Sequence, residues 1–147
     1  MFTSLTKEAF PIIRYRTRDL TRLLPPTSRA FRRMGKIVGR SDDMLIIRGV
    51  NVFPTQIEEL VLAHPELTAL YQLIVTRDAH LDEVEVLAEL HSASLPAEQA
   101  AAIKSALESR IKNLVGISAK VSVLPPGAIE RTQTGKSRRV IDKRAKT

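Results

Sequence analysis

Apolar residues recur at intervals of three and four between Pro96 and Gly116, the spacing that places them along one side of an α-helix. The proline suits the start of such a helix and the glycine its C-terminal cap. A shorter stripe follows Pro54 and ends near His64-Pro65, which predicts a second helix. Helices with one apolar side need a further layer to cover that side. The longer stripe consists of Ala100, Ile103, Leu107, Ile111 and Leu114, and the shorter one of Ile57, Leu60 and Val61.

The covering layer is predicted to be a β-sheet, because the segments around both helices are short apolar runs or alternate apolar with polar residues. Gly49 is expected to turn a hairpin between the first two strands. The order from residue 44 is strand, strand, helix, strand, strand, helix, strand. This order predicts an α+β fold with two helices on one face of a small antiparallel sheet. The predicted strands are 44–48, 50–53, 70–76, 83–90 and 121–123.

The beginning of the chain has a different character. Residues 2–5 and 11–18 are predicted to be short strands, the second with a basic face. A strip this short cannot bury a core of its own, so we expect it to belong to a larger sheet. Pro25-Pro26 breaks the pattern, and a basic connector follows as far as Gly39-Arg40. The sequence therefore divides into two parts, 1–40 and 41–147.

Composition excludes several kinds of site. The chain contains no cysteine, which removes disulfides, thiolate catalysis and cysteine-based metal centres. Its histidines, His64, His80 and His91, lie far apart without metal-ligand spacing, so no metal site is predicted. No apolar run approaches the roughly 20 residues that cross a bilayer. The first residues do not have the order of a signal peptide. We therefore expect a cytoplasmic protein without a membrane segment.

Positive charge is concentrated in two stretches. The net charge is +7, with nine basic residues between Arg14 and Arg40 and seven between Arg131 and Lys146. Such stretches suit an anionic partner, and nucleotide, coenzyme A and nucleic acid all meet that description. An aromatic content of 4% and the lack of a known nucleic-acid-binding motif weigh against the last. A basic nucleic-acid-binding module stays open as an alternative.

Three short segments hold the residues best suited to chemistry. The third contains Thr-Gly-Lys-Ser but does not match a phosphate-binding P-loop, because that pattern needs glycine where Glu130 stands. Taken singly, the other two are typical of surface ion pairs and turns. The segments are Arg14-Tyr15-Arg16-Thr17-Arg18-Asp19, then Gly39-Arg40-Ser41-Asp42-Asp43-Met44 with its continuation through Arg48-Gly49 to Glu58-Glu59, and Thr132-Gln133-Thr134-Gly135-Lys136-Ser137-Arg138-Arg139.

In this order the three segments resemble motifs of the adenylate-forming acyl- and aryl-CoA ligases. The stretches from Arg48 to Pro54 and from Arg131 to Lys136 are similar to the phenylacetate–CoA ligase branch in particular. Arg18 and Ile46 depart from the broader family, where glycine and lysine are usual, but agree with this branch. The resemblance covers nearly the whole chain. It implies that 41–147 is the C-terminal lid domain and that 1–40 is the end of the large N-terminal adenylation domain.

The resemblance also implies roles for individual residues. Asp19 corresponds to the acid that binds the ribose hydroxyls of ATP. Arg40 corresponds to the arginine that contacts ribose or phosphate oxygens. Asp42 corresponds to the hinge about which the lid turns, and Gly49 to the loop that lines the coenzyme A channel. Lys136 corresponds to the lysine that bridges the carboxylate and the α-phosphate during adenylation.

The implied reaction is that of an AMP-forming acid–thiol ligase, with ATP, Mg²⁺ and coenzyme A. The family's phosphate loop, acyl pocket and magnesium-binding acid are expected upstream, in the N-terminal adenylation domain that would partner the lid. We therefore expect the chain alone to be inactive. The sequence does not define the acid substrate. It leaves open a homodimer, and also a truncated regulatory or partner-binding lid without catalysis.

Overall fold

A computed structural model describes residues 1, 3–6, 8–28, 30–78, 80–131 and 138–145. The chain divides into two compact units, Met1–Met44 and Leu45–Thr147, which we call the first and second units. The second unit contains both helices and the hydrophobic core.

The first unit is built on a hairpin in which residues 18–24 run antiparallel to residues 33–41. β1 pairs with β4 and β2 with β3, and both pairings are antiparallel. The amide of Gly35 donates to the carbonyl of Arg22, and the amide of Ser41 donates to that of Arg18, so backbone bonds continue beyond the short ladders. The strands are β1 (Asp19–Leu20), β2 (Leu23–Leu24), β3 (Arg33–Met34) and β4 (Gly39–Arg40).

The strands predicted over 2–5 and 11–18 are wrong. The described residues of these two ranges form no strand, and Tyr15 makes an isolated bridge. Arg14 and Arg18 have φ values of 52° and 65°, in the left-handed region. Such residues turn the chain and interrupt an extended strand. The alternation of basic and other residues here therefore belongs to an irregular segment.

The second unit begins with a hairpin. β5 (Leu45–Ile47) and β6 (Val50–Val52) pair antiparallel, and Arg48-Gly49 joins them. Both turn residues have positive φ, 50° and 80°, which is the type I′ geometry that matches the twist of a two-residue hairpin. The predicted turn at Gly49 is confirmed.

Two helices follow the hairpin, α1 (Pro54–Leu62) and α2 (Ala97–Val115). Pro54 occupies the first helical position, where a missing N–H group costs little. α2 ends at Gly116, whose φ of 84° makes a left-handed cap. The buried side of α2 continues to Val115, whereas Leu114 is 66% exposed and does not belong to it.

A four-stranded sheet completes the second unit, in the order β10-β7-β8-β9. The two central strands are antiparallel, but each outer strand runs parallel to its neighbour, so the sheet is mixed rather than antiparallel throughout. The hairpin of β5 and β6 forms a separate two-stranded sheet. The α+β class is confirmed. The strands are β7 (Leu67–Asp78), β8 (Leu81–Leu90), β9 (Lys120–Leu124) and β10 (Val140–Asp142), the last of which the sequence pattern did not predict.

One face of this sheet carries the core. The alternate residues Tyr71, Leu73 and Val75 of β7 pair with Ala88, Val86 and Val84 of β8, and all six are buried. Both helices contact each other and pack on this core, as predicted. The hydroxyl of Tyr71 donates to the carbonyl of Pro54 at 2.9 Å, which satisfies the one polar group of this fully buried ring.

Candidate functional site

Asp19 and Arg40 lie directly opposite each other in the pairing of β1 with β4. Residues opposed in an antiparallel ladder carry their side chains on the same side. Asp19 is half-buried and Arg40 is exposed. The fold of the first unit therefore brings together two predicted nucleotide-binding residues that are distant in sequence.

Asp42 binds the same arginine. The Nε and Nη2 groups of Arg40 donate to the two carboxylate oxygens of Asp42 at 3.0 and 2.8 Å, a two-pronged ion pair. Arg18 adds a third contact, 3.7 Å from Asp42 Oδ2. The hydrogen bond from Arg40 holds the pKa of Asp42 below its usual range, and Asp42 in turn raises the pKa of Arg40. Both groups are therefore charged at neutral pH.

A shallow cavity of about 210 Å³ lies beside this pair. Its lining consists of Arg16, Arg18, Ser41 and Asp42. Two guanidinium groups and a hydroxyl are donors that suit phosphate or ribose oxygens. Arg16 and Ser41 were not among the predicted site residues. The signal that could have indicated them is membership of the motifs, since Arg16 belongs to the same basic motif as Arg18 and Ser41 stands between Arg40 and Asp42.

The Arg48-Gly49 turn is exposed. A Cβ atom added to Gly49 would meet no described atom within 4 Å. Glycine is therefore favoured here by its φ of 80° and not by packing within the described residues. The turn presents bare backbone to open space, as a loop that lines the path of a thin ligand would.

Lys136 lies outside the described residues, as does the whole of 132–137. The chain just before it is held by Glu89, a carboxylate of β8 that is 1% exposed. The amide of Ile129 donates to Glu89 Oε2 at 3.1 Å, and Arg131 Nη2 lies 3.5 Å from Oε1. A buried carboxylate is stable only with such partners. Glu89 therefore fixes the chain just before the third motif.

Arg139 holds the chain after the same segment. Its carbonyl accepts a hydrogen bond from the amide of Leu73 at 2.8 Å. Its guanidinium donates to both carboxylate oxygens of Glu58 in α1, at 2.9 Å from Nη1 to Oε2, and lies over the ring of Tyr71. Because β9 and β10 form opposite edges of the sheet, the chain between them begins at one edge and ends at the other.

The structure thus brings three predicted residues together in the first unit, Asp19, Arg40 and Asp42, and places Gly49 in the second. Among the described residues, no group of three or more His, Asp or Glu side chains could hold a metal ion. None of the described helices is long and apolar enough to cross a membrane.

Sequence reasoning missed two buried acids of β8, Asp82 and Glu89. Asp82 lies two and four residues before Val84 and Val86, so the alternation of β8 places it on the apolar face. An acid at such a position could have been recognised in the sequence. Glu89 belongs to the opposite parity, and its burial depends on cover by residues about 40 positions later.

The family model described as the AMP-binding enzyme C-terminal domain matches residues 49–144. The match begins at the hairpin turn and includes both helices and all four strands of the main sheet, about two thirds of the chain. The chain belongs to this family. The resemblance drawn from the three motifs is confirmed at the level of the family.

This AMP-binding C-terminal domain is similar to a phenylacetate-coenzyme A ligase of Aromatoleum evansii, with 56% identity over 149 residues. The alignment covers 99% of this chain and 34% of that protein. The chain spans about a third of the length of the curated relatives it matches. The similarity thus extends through the first unit, beyond the residues that the family model matches.

Two solved structures share the fold. A domain of phenylacetate-coenzyme A ligase from Bacteroides vulgatus ATCC 8482 aligns with a TM-score of 0.65 and 29% identity, covering 72% of this chain and 97% of that one. A 2-hydroxyisobutyryl-CoA ligase in the postadenylation state, in complex with R3-HIB-AMP, aligns with a TM-score of 0.75 and 30% identity. That alignment covers 90% of this chain and 29% of the other.

Proposed function

We propose that this chain forms the C-terminal part of an ATP-dependent arylacetate–CoA ligase, with phenylacetate as the acid. The observation that carries the proposal is the 56% identity to the Aromatoleum evansii ligase across 99% of the chain. In this proposal residues 1–40 are the end of an adenylation domain and residues 41–147 are its lid.

In the first half-reaction the carboxylate of the acid attacks the α-phosphorus of ATP, and the bond to pyrophosphate breaks. Asp19 would accept hydrogen bonds from the two ribose hydroxyls. Arg40 would donate to ribose or phosphate oxygens. Its fork with Asp42 uses two of the five N–H donors of a guanidinium, so further donors can turn to the nucleotide. Lys136 would bridge the acid and the α-phosphate and stabilise the charge that develops there.

In the second half-reaction the thiolate of coenzyme A attacks the acyl carbon of the adenylate, and AMP leaves with the bridging oxygen. Gly49 would line the path of the thiol, where a side chain would obstruct the pantetheine arm. Asp42 would be the hinge about which the lid turns between the two half-reactions. The lid would thus present Lys136 first and the Arg48-Gly49 turn second.

ATP and coenzyme A are the proposed co-substrates, and Mg²⁺ accompanies ATP. The described residues provide no cluster of metal ligands, so we assign no residue of this chain to Mg²⁺. The phosphate loop, the acyl pocket and the metal-binding acid are assigned to the adenylation domain, the proposed partner of the lid. The two basic stretches suit the polyanionic co-substrates. The cytoplasm, where ATP and coenzyme A are available, is the proposed location.

The test joins this chain to the upstream part of the Aromatoleum evansii ligase, at the position that aligns with Met1. We expect the fusion to form phenylacetyl-CoA from phenylacetate, ATP and coenzyme A. The upstream part alone and this chain alone should form none, because each lacks part of the site. A fusion that shows a cooperative unfolding transition but forms no thioester from any arylacetic acid would contradict the proposal.

A further inference from the structure

The hairpin that carries Gly49 is not joined to the main sheet by a strand ladder within the described residues. β5 and β6 pair with each other in a separate two-stranded sheet. Ile47 and Val52 fix the inner side of the hairpin, since both are buried in the core. The turn itself is exposed and projects beyond these two anchors. Val50, which follows the turn, is partly buried against the core, and polar side chains add further contacts at the turn and its adjoining strand.

Arg144, two residues after the end of β10, supplies one such contact. Its Nη1 donates to the carbonyl of Ile46 at 2.8 Å and to Oδ2 of Asp82 at 3.1 Å. Its Nε and Nη2 donate to the carboxylate of Asp142 at 2.9 and 2.7 Å. The side chain is 16% exposed. A rigid guanidinium fork serves these three acceptors at once, which an ammonium group cannot reproduce.

Asp82 is the point where the contacts meet. Its Oδ1 accepts from Arg77 Nε at 2.8 Å, its Oδ2 accepts from Arg144, and its backbone carbonyl accepts from Arg48 Nε at 2.6 Å. The side chain is 9% exposed, and an acid this buried requires partners. The three arginines come from three different places in the chain. Arg48 belongs to the hairpin turn, Arg144 reaches the hairpin from beyond β10, and Arg77 belongs to β7.

We propose that Asp82 and Arg144 are positioning residues for the thioester-forming half-reaction, because they hold the Arg48-Gly49 turn where the thiol of coenzyme A must pass. The proposal rests on the proposed role of Gly49. Arg48 is itself a turn residue, and its bond to the backbone carbonyl of Asp82 ties the turn to β8. The carboxylate of Asp82 acts on the hairpin through Arg144, whose guanidinium it holds. Arg144 ties the adjoining strand through the carbonyl of Ile46. Neither Asp82 nor Arg144 needs to touch a substrate for this role.

The first test measures amide hydrogen exchange in this chain. Arg144→Gln and Asp82→Asn should each speed exchange in residues 45–52 by about tenfold, while α2 is unchanged. Arg77→Gln is the matched control, because it removes a bond to Asp82 of 2.8 Å, against 3.1 Å for that of Arg144, and no hydrogen bond to the hairpin. Arg144→Lys, which keeps the charge, covers the case in which Arg144→Gln does not fold, and it should speed exchange in the same residues. Unchanged exchange in 45–52 in the folded variants would overturn the proposal.

The second test uses the fusion enzyme. Arg144→Gln should slow thioester formation from supplied phenylacetyl-adenylate by about tenfold, the scale expected for a modest misplacement. Pyrophosphate exchange should stay within about twofold, and Arg77→Gln should spare both half-reactions. Equal slowing of both half-reactions by Arg144→Gln in an active fusion would overturn this inference alone. A wild-type fusion that forms no thioester, with the exchange result intact, would overturn the proposed function and the catalytic part of this inference with it.

Discussion

The guanidinium of Arg139 lies over the ring of Tyr71, with 5.5 Å between its central carbon and the ring centroid. The same guanidinium donates two hydrogen bonds to the carboxylate of Glu58 in α1. A single arginine immediately before β10 is thereby attached to the central strand β7 and to the first helix. The described chain that follows residues 132–137 is anchored through it.

Arg139→Gln should lower the free energy of unfolding by about 1–2 kcal/mol. The cation–π contact of this half-exposed arginine is expected to contribute about 0.5–1 kcal/mol and its ion pair up to about 1 kcal/mol. The measurement is urea-induced unfolding of this chain. Arg138→Gln, at the exposed neighbouring position, should change stability by less than about 0.5 kcal/mol. Equal effects from the two substitutions would show that neither contact stabilises the fold.

Glu89→Gln should lower the free energy of unfolding by about 1–3 kcal/mol. Glutamine keeps an oxygen for the amide of Ile129 but loses the charge that faces Arg131. Glu83→Gln is the control, because Glu83 lies on the same strand but is exposed. The measurement is the free energy of unfolding of both variants in urea. A Glu89→Gln protein as stable as the Glu83→Gln protein would contradict the assignment of Glu89 as an anchor.

The carboxylate of Asp42 should titrate with a pKa below its usual value, because Arg40 donates two hydrogen bonds to it. Because folding lowers this pKa, the ion pair stabilises the first unit at pH values above the ordinary pKa of an aspartate. The contribution is lost as the pH falls through the lowered pKa.

The measurement for Asp42 is a carbon-13 NMR titration of the side-chain carboxyl groups. Arg40→Gln should raise the titration midpoint of Asp42 towards its usual value. Asp142 provides an internal control, since its pKa is lowered by Arg144 in the second unit and should not change. An unchanged midpoint for Asp42 would rule out the pairing in solution.

Lys136→Ala in the fusion enzyme should slow adenylation by about 10²–10³-fold, the scale for losing one preorganised charge donor. Pyrophosphate exchange reports this half-reaction. Thioester formation from supplied phenylacetyl-adenylate should be nearly unchanged, because the lysine is assigned to the first half-reaction. If Lys136 were a solvated surface residue, the substitution would affect neither.

Gly49→Leu should have the opposite effect, slowing the thiol step while pyrophosphate exchange continues. Leucine at a φ of 80° also adds backbone strain of about 1–2 kcal/mol. Gly49→Asn separates strain from obstruction, because asparagine tolerates the left-handed region and is smaller. We expect Gly49→Asn to retain more of the thiol step than Gly49→Leu. Equal slowing of both half-reactions by Gly49→Leu would contradict a role in the thiol path.

The parts of the fold that sequence predicts well are those specified by neighbours along the chain. The stripe Ile103, Leu107 and Ile111 defines α2 through its own period, and Gly116 ends the helix through its own backbone freedom. The sequence also predicted the antiparallel pair of β7 and β8, although both strands are longer than predicted. Asp19, Arg40, Asp42 and Gly49 were indicated by motif, and their roles stay predictions.

The parts that sequence could not predict depend on distant partners. β10 has three residues among basic neighbours, and it is a strand because Val140 pairs with Leu73. The opposite error occurred at 11–18, where alternation indicated a strand but positive φ at Arg14 and Arg18 prevents one. The contacts around Asp82 and Arg144 join residues separated by as many as 98 positions, so no local window contains them.

The parallel pairing of β10 with β7 makes folding order matter. β7 has β8 on one side as soon as the hairpin between them closes, but its other side waits for residues made much later. Until then β7 offers an unpaired edge, which invites association with other chains. Long-range pairing is also slow, since the closure of a long loop precedes any gain from its contacts. Late docking of β10 would cover residues 73–75 of that edge and bring Arg144 to the hairpin in the same step. A chain halted before β10 would therefore be aggregation-prone, and its Gly49 turn would lack the contacts that Arg144 provides.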